Sequence, residues 1–134
     1  MGYYLQKTIK NLLGPKKLKV LAILCTLAVT VGSLISIQGK IKTTFLHLDK
    51  FVHFLAYGIL CLLWLKVFVT NSKKIKLIII VAGLVLAYGI IIEALQGVTT
   101  SYRQFSILDI IANFLGILVA VGVFLALYLK KRVN

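Results

Sequence analysis

The stretch IKLIIIVAGLVLAYGIIIEALQGV, residues 75–98, decides the fold. An α-helix rises about 1.5 Å per residue, so about 20 apolar residues cross the ~30 Å hydrocarbon core of a bilayer. Three further windows satisfy this criterion, at residues 18–37, 51–70 and 107–129. A soluble domain of 134 residues could not bury a composition that is 60% hydrophobic and 14% charged. The sequence therefore predicts an all-α membrane protein, a bundle of four transmembrane helices.

The basic residues predict the orientation of this bundle. The formal net charge is +13, and most Lys and Arg precede the first span, join the second to the third, or follow the fourth. Because Lys and Arg in short loops stay cytoplasmic, we expect both termini in the cytoplasm. The charges lie between spans and not along one helix face, which argues against nucleic acid as a partner. The protein is predicted to be a multi-pass protein of the plasma membrane.

The spans also suggest a division of the chain. We expect a basic cytoplasmic segment at residues 1–17, one transmembrane domain at residues 18–129 and a basic cytoplasmic tail at residues 130–134. A cleaved signal peptide is the alternative for the first span, although that span exceeds the usual apolar length of about 7 to 15 residues.

The chain has only three acidic residues, and all three are predicted near the same membrane face. Asp49 opens the second span, Glu93 lies near the end of the third, and Asp109 opens the fourth. With cytoplasmic termini, these positions are all extracytoplasmic. An acid inside a membrane costs on the order of 3 kcal/mol at the centre, and less near the interface or beside a partner. Arg103, in the loop between spans three and four, is a candidate partner for Glu93 or Asp109.

Helical spacing places further polar residues beside these acids. At about 100° per residue, each of three spans carries one polar stripe. The members of the stripes are Asp49, Lys50, His53 and Tyr57; Gly89, Glu93 and Gln96; and Ser106, Asp109, Asn113 and Gly116. Hydrocarbon cannot satisfy such stripes, so they should face one another or a water-filled recess.

Structural roles compete with functional ones at several of these positions. Asp49 is a candidate N-cap of the second helix. Ser106 is a candidate N-cap of the fourth, with Asp109 reaching back to it in a capping box. Glu93 and Gln96 could serve only to hydrogen-bond one helix to another. Each such bond would stabilise the bundle by about 0.6 to 2 kcal/mol.

Small residues predict close helix packing. Ala112, Gly116 and Ala120 form a ridge at four-residue spacing on the fourth span, and Gly83 and Ala87 are a second candidate pair on the third.

The cysteines and the motif search favour neither a metal nor a cofactor. Cys25 and Cys61 lie inside spans, without CxxC or histidine spacing, and are expected to be small buried hydrophobic residues. The sequence has no P-loop, GxSxG, HExxH or zinc-ligand spacing.

Two stretches carry a resemblance to a known family. DKFVHFLAY, residues 49–57, and EALQGVTTSYRQFSILDIIANFLG, residues 93–116, resemble the VanZ-like membrane proteins. Members of that family carry D-K-x-x-H-F-x-x-Y in one helix, then E-x-x-Q, an arginine, and D-x-x-x-N-x-x-G. The match runs from about residue 20 to residue 125. The resemblance implies a small polytopic bacterial protein connected with low-level resistance to the glycopeptide teicoplanin, and it implies no particular reaction.

Three hypotheses for the function follow from the stripes. In the first, the recess binds the headgroup of an envelope lipid or lipid-linked cell-wall intermediate, with Lys50, His53 and Arg103 binding phosphate and the three acids orienting them or binding hydroxyl and amine groups. In the second, the protein is an intramembrane enzyme acting on a lipid phosphate or glycosidic linkage, with His53 and a carboxylate, Glu93 or Asp109, as the acid–base pair. In the third, it is a small transporter that works as an oligomer.

Overall fold

The computed structural model of the protein describes residues 14–35, 46–69, 75–99 and 105–133, and these form four α-helices. The helices are α1 (Pro15–Leu34), α2 (Leu46–Phe68), α3 (Ile75–Thr99) and α4 (Ile107–Val133). Each is long and apolar enough to span a membrane. No strand occurs within the described ranges. The all-α, four-span prediction is confirmed.

Two helices begin earlier than hydropathy predicts. α1 starts at Pro15, because proline already has a helical φ and the first helical position needs no N–H donor. α2 starts at Leu46, so Asp49 lies in its first turn and not at its cap. The N-cap alternative for Asp49 is therefore wrong, although a carboxylate in the first turn still stabilises the positive end of the helix dipole.

The closest helix pair is α2 with α4, which cross at two glycines. A Cβ built on Gly116 would overlap the carbonyl oxygen of Phe54, and one built on Gly58 would lie 3.1 Å from the carbonyl oxygen of Gly116. Ala112 and Ala120, one turn to either side of Gly116, are buried. The predicted small-residue ridge on the fourth span is confirmed as a packing surface.

The second predicted pair of small residues is wrong. Gly83 and Ala87 are exposed on α3, and a Cβ on Gly83 would meet no atom within 4 Å. These residues lie on the outer face of the helix, among large exposed aliphatic side chains such as Ile79 and Leu84.

An apolar core fills the half of the bundle nearest the end of α2. Its buried side chains include Leu60, Cys61 and Leu65 of α2, Val81 and Val85 of α3, and Ile117 and Phe124 of α4. Cys61 is fully buried, as predicted, whereas Cys25 is half-buried and packs against this core.

α1 is attached to the other helices by hydrogen bonds and by half-buried side chains such as Cys25 and Val29. Only Ala22 of α1 is fully buried. Thr30 Oγ1 lies 2.7 Å from Tyr88 OH, and Trp64 Nε1 donates to Thr26 Oγ1 at 3.1 Å. Such interhelical bonds hold helices together where lipid removes the hydrophobic driving force for their association.

Candidate functional site

The three predicted polar stripes converge at one end of the bundle, where α1 and α3 end and α2 and α4 begin. We call this the polar end. The polar cluster is defined by six residues there: Asp49, Lys50 and His53 of α2, Glu93 of α3, Ser106 and Asp109. His53, Glu93 and Asp109 are 8%, 2% and 5% exposed, so the cluster is largely closed to its surroundings.

Glu93 joins three helices through its two carboxylate oxygens. Oε1 accepts a hydrogen bond from the backbone N–H of Ser106 at 2.9 Å. Oε2 lies 3.9 Å from His53 Nε2. The glutamate at the end of an apolar helix thus contacts the beginning of α4 and the first turns of α2.

The beginning of α4 is capped by residues of two helices. Ser106 Oγ accepts from the backbone N–H of Asp109 at 3.3 Å, as predicted for an N-cap. The reciprocal half of the predicted capping box is wrong, because the carboxylate that accepts the Ser106 N–H belongs to Glu93 and not to Asp109.

Asp109 pairs with the lysine of the cluster. Lys50 Nζ lies 3.0 Å from Asp109 Oδ1, and the two side chains are 29% and 7% exposed. The ammonium of Lys50 therefore offsets the charge of a buried carboxylate, which would otherwise be costly.

His53 lies between two carboxylates, with its ring orientation set by the backbone. Nδ1 is 2.9 Å from the carbonyl oxygen of Asp49, which can only accept, so we assign the proton to Nδ1. In the neutral ring Nε2 is then an acceptor, and it faces Glu93 Oε2, another acceptor when ionised. A proton on either atom, or a donor group that reaches both, would make this contact favourable. The arrangement suits acid–base chemistry or the binding of an N–H or O–H group.

Three other predicted site residues lie beside the cluster. Gln96 Nε2 donates to the carbonyl oxygen of Ser33 at 2.7 Å, which ties α3 to the end of α1. Tyr57 and Asn113 are each 1% exposed and lie against Gly89, where a Cβ would come within 2.8 Å of the Tyr57 ring and 3.1 Å of Asn113 Nδ2. Asn113 Oδ1 is buried and has no hydrogen-bond partner among the described residues.

The predicted pairing of Arg103 with Glu93 or Asp109 lies outside the described residues. It remains a prediction.

The cluster contains residue types that bind metal ions, but their donor atoms lie far apart for a metal site. One donor atom each from Asp49, His53 and Asp109 lie within 4.8 Å of one another. Bonds of about 2.1 Å in a tetrahedral site bring donors to about 3.4 Å from one another. These side chains would have to move to hold an ion, and Lys50 already provides a positive charge at Asp109.

A groove between α1 and α2 reaches the polar cluster. Its volume is about 430 Å³. Asp49, His53 and Ser33 line one end, whereas Cys25, Ala56 and Ile59 line its apolar length. We call it the α1–α2 groove.

Two polar residues of α1 were not among the predicted site residues. The hydroxyls of Thr26 and Thr30 hydrogen-bond to other helices, whereas Ser33 accepts the Gln96 bond through its backbone carbonyl, which any residue could supply. The four-residue spacing of the two threonines is the signal that would have identified a polar face on α1.

Comparison with known proteins agrees with the motifs in these helices. The VanZ/LLP1 family model matches residues 4–129. Comparisons with curated proteins and with solved structures gave no match. Since the match covers nearly the whole chain and includes the four membrane-spanning helices, this protein belongs to the VanZ/LLP1 family.

Proposed function

We propose that the protein binds the polar headgroup of an envelope lipid or lipid-linked cell-wall intermediate. The observation that carries this proposal is the connection of the polar cluster to the α1–α2 groove, because Asp49 and His53 belong to both. Sites for small ligands are usually apolar recesses with a few polar groups that fix orientation. A lipid suits such a site, because its acyl chain is apolar and its headgroup is polar.

The proposed place of binding is the outer leaflet of the plasma membrane. The distribution of Lys and Arg supports cytoplasmic termini, which would put the polar end outside. Lipid-linked cell-wall intermediates are displayed there, and glycopeptides such as teicoplanin act there. By occupying or covering such a headgroup, the protein would contribute to glycopeptide resistance, a role that membership in the family favours.

The predicted site residues have different proposed tasks. Asp49 and His53, which line the groove, contact the headgroup. Lys50, Glu93 and Asp109 hold these two in place, and Arg103 supplies a phosphate contact from the loop. Tyr57, Gln96, Ser106 and Asn113 support the surrounding helices.

An enzyme is the second candidate, favoured by His53 Nε2 and Glu93 Oε2 facing each other at 3.9 Å. A shared proton would let this pair act as acid and base on a lipid phosphate or glycosidic linkage. Incubating the purified protein with labelled envelope lipids separates the two functions, because binding alone leaves the lipids chemically unchanged.

Transport receives less support. The buried residues below the polar cluster are apolar, among them Leu60, Leu65 and Phe124. A transporter would need a polar path past these side chains, which a single bundle does not offer within its described residues.

The resistance role is tested by the teicoplanin tolerance of bacteria that express the protein. We expect His53→Gln and Asp109→Asn to reduce tolerance to that of cells without the protein. Thr99→Ala is the matched control, because Thr99 is an exposed polar residue at the same end and its hydroxyl donates to the Leu95 carbonyl of its own helix. Full tolerance in both cluster variants, at membrane levels equal to the wild type, would refute the proposal.

A further inference from the structure

The end of the bundle opposite the polar end carries most of the positive charge of the protein. We call it the basic end, and α1 and α3 begin there while α2 and α4 end there. The sequence has three acidic residues, and all three belong to the polar cluster. Every Lys and Arg except Lys40, Lys42, Lys50 and Arg103 belongs, by its position in the chain, to the basic end. No acidic side chain of this protein therefore offsets the charge of the basic end.

A recess lies on the surface of α1 at the basic end. Its volume is about 340 Å³, and the described residues that line it are Lys16, Lys17, Val20, Leu21 and Leu24. The three apolar side chains are 46% to 56% exposed, so no other described helix covers them.

The recess has a basic part and an apolar part, and their order along the helix matches that of a phospholipid. Lys16 and Lys17 lie in the first turn of α1, and the apolar side chains follow one and two turns later. From Lys17 to Leu24 the helix rises about 10 Å. Helical side chains lean towards the N-terminus of their helix, so the lysines extend towards the headgroup layer while the apolar residues lie beside acyl chains.

Charge complementarity selects an anionic occupant for this recess. Residues 1–13 adjoin α1 in the chain, but they contain Lys7 and Lys10 and no acid. The basic end of a second copy would likewise bring only positive side chains. Both would be repelled by Lys16 and Lys17. Lysines next to a membrane span are attracted to anionic lipid headgroups, and such a lipid also has an acyl chain for the apolar part.

The first turns of α1 have few contacts with the protein itself. Among the described residues, the hydrogen bonds that join α1 to other helices begin at Thr26 and continue towards the polar end. Before Thr26, only Ala22 is fully buried. A lipid held at the beginning of α1 would stabilise the part of this helix that the rest of the bundle holds least.

We propose that Lys16 and Lys17 bind the headgroup phosphate of an anionic phospholipid, whose acyl chain lies along the apolar part of the recess. A zwitterionic lipid carries the same phosphate, but its own ammonium group offsets the charge. This site is separate from the polar cluster and does not depend on the function proposed for that cluster.

The test adds lipid back to the purified full-length protein in a nonionic detergent and measures binding by native mass spectrometry. The probes are phosphatidylglycerol and phosphatidylcholine with identical acyl chains, which differ in net charge. An open recess exchanges lipid with the micelle, so titration reports the affinity. Two lysines beside an anionic headgroup should together favour phosphatidylglycerol over phosphatidylcholine by about tenfold.

Two double variants locate the binding. Lys16→Gln with Lys17→Gln should bind the two lipids about equally. Lys66→Gln with Lys76→Gln is the matched control, because it removes the same charge from exposed positions at the same end, on α2 and α3 outside the recess. It should keep the preference for phosphatidylglycerol. Glycerol phosphate, which has a phosphate but no acyl chain, should not displace phosphatidylglycerol from the wild type.

The proposal is supported if the preference is lost in the α1 variant and kept in the control. Equal loss in both variants would assign the preference to the diffuse charge of the basic end, and no loss in the α1 variant would show that its lysines bind no lipid. Displacement by glycerol phosphate would show that free phosphate is sufficient. A dimer that forms without bound lipid and is lost in the α1 variant would assign the recess to a second copy. Each of these four results would overturn the proposal.

Discussion

The carboxylate of Glu93 contacts two helices besides its own. Its Oε1 accepts the Ser106 N–H at the beginning of α4, and its Oε2 faces His53 of α2. The sequence placed Glu93 near the end of its helix and on the face that turns towards α2 and α4, because both follow from helical rise and rotation. It could not identify the partner, since Ser106 approaches through a loop whose path no periodicity determines.

Two substitutions of Glu93 should show whether its hydrogen bond or its charge stabilises the fold. In Glu93→Leu the Ser106 N–H loses its acceptor, and an unsatisfied buried donor costs about 1–3 kcal/mol. In Glu93→Gln the amide oxygen can still accept that bond, so the variant should remain close to wild type in stability. The measurement is the free energy of unfolding in mixed micelles, and equal stability of the two variants would show that the Ser106 bond does not hold α4.

The α2–α4 pair shows how a helix surface without large side chains creates a contact. Gly58 and Gly116 bring the two backbones together, and Ala112 and Ala120 extend the surface. The sequence predicted this ridge from its spacing but predicted a similar one at Gly83 and Ala87, which faces outwards. A small-residue spacing indicates that close approach is possible, whereas the fold decides whether a partner helix is there.

Alanine should therefore have opposite effects at two glycines of α4. At Gly116 the new Cβ would overlap the Phe54 carbonyl and push the two helices apart. We expect the free energy of unfolding to fall by about 1–3 kcal/mol. At Gly122 a Cβ meets no atom within 4 Å, and replacing a helical glycine should stabilise by about 0.5–1 kcal/mol. Thermal unfolding of Gly116→Ala and Gly122→Ala in the same detergent measures this difference, and the same sign at both positions would contradict the packing described.

The whole molecule is asymmetric along its long axis. The buried carboxylate, imidazole and amide side chains of the described helices gather at the polar end, while apolar residues such as Leu65 and Phe124 fill the other half. Hydropathy predicted the number and order of the spans because these depend on length and composition alone. It did not predict the α1–α2 groove, which depends on how far α1 lies from α2 and on hydrogen bonds that join residues about 60 positions apart, such as Thr30 and Tyr88.

The orientation of this asymmetry can be measured with cysteine labelling in intact cells. Thr99 and Lys76 are both exposed and lie at opposite ends of α3. If the positive-inside prediction is correct, a membrane-impermeant maleimide should label Thr99→Cys in intact cells and Lys76→Cys only after permeabilisation. The wild type is the control, because Cys61 is buried and Cys25 is half-buried within a span. The reverse labelling pattern would place the polar cluster on the cytoplasmic side.

Binding of a lipid headgroup at the polar cluster is the central claim, and lipid bound to the protein isolated from its own membrane tests it most directly. The comparison is between wild type and Glu93→Gln, the variant expected to keep its fold while losing the charge that faces His53. We predict that mass spectrometry will find envelope lipid bound to the wild type and strongly reduced in Glu93→Gln. Equal amounts of lipid on two folded proteins, or none on the wild type, would contradict the account.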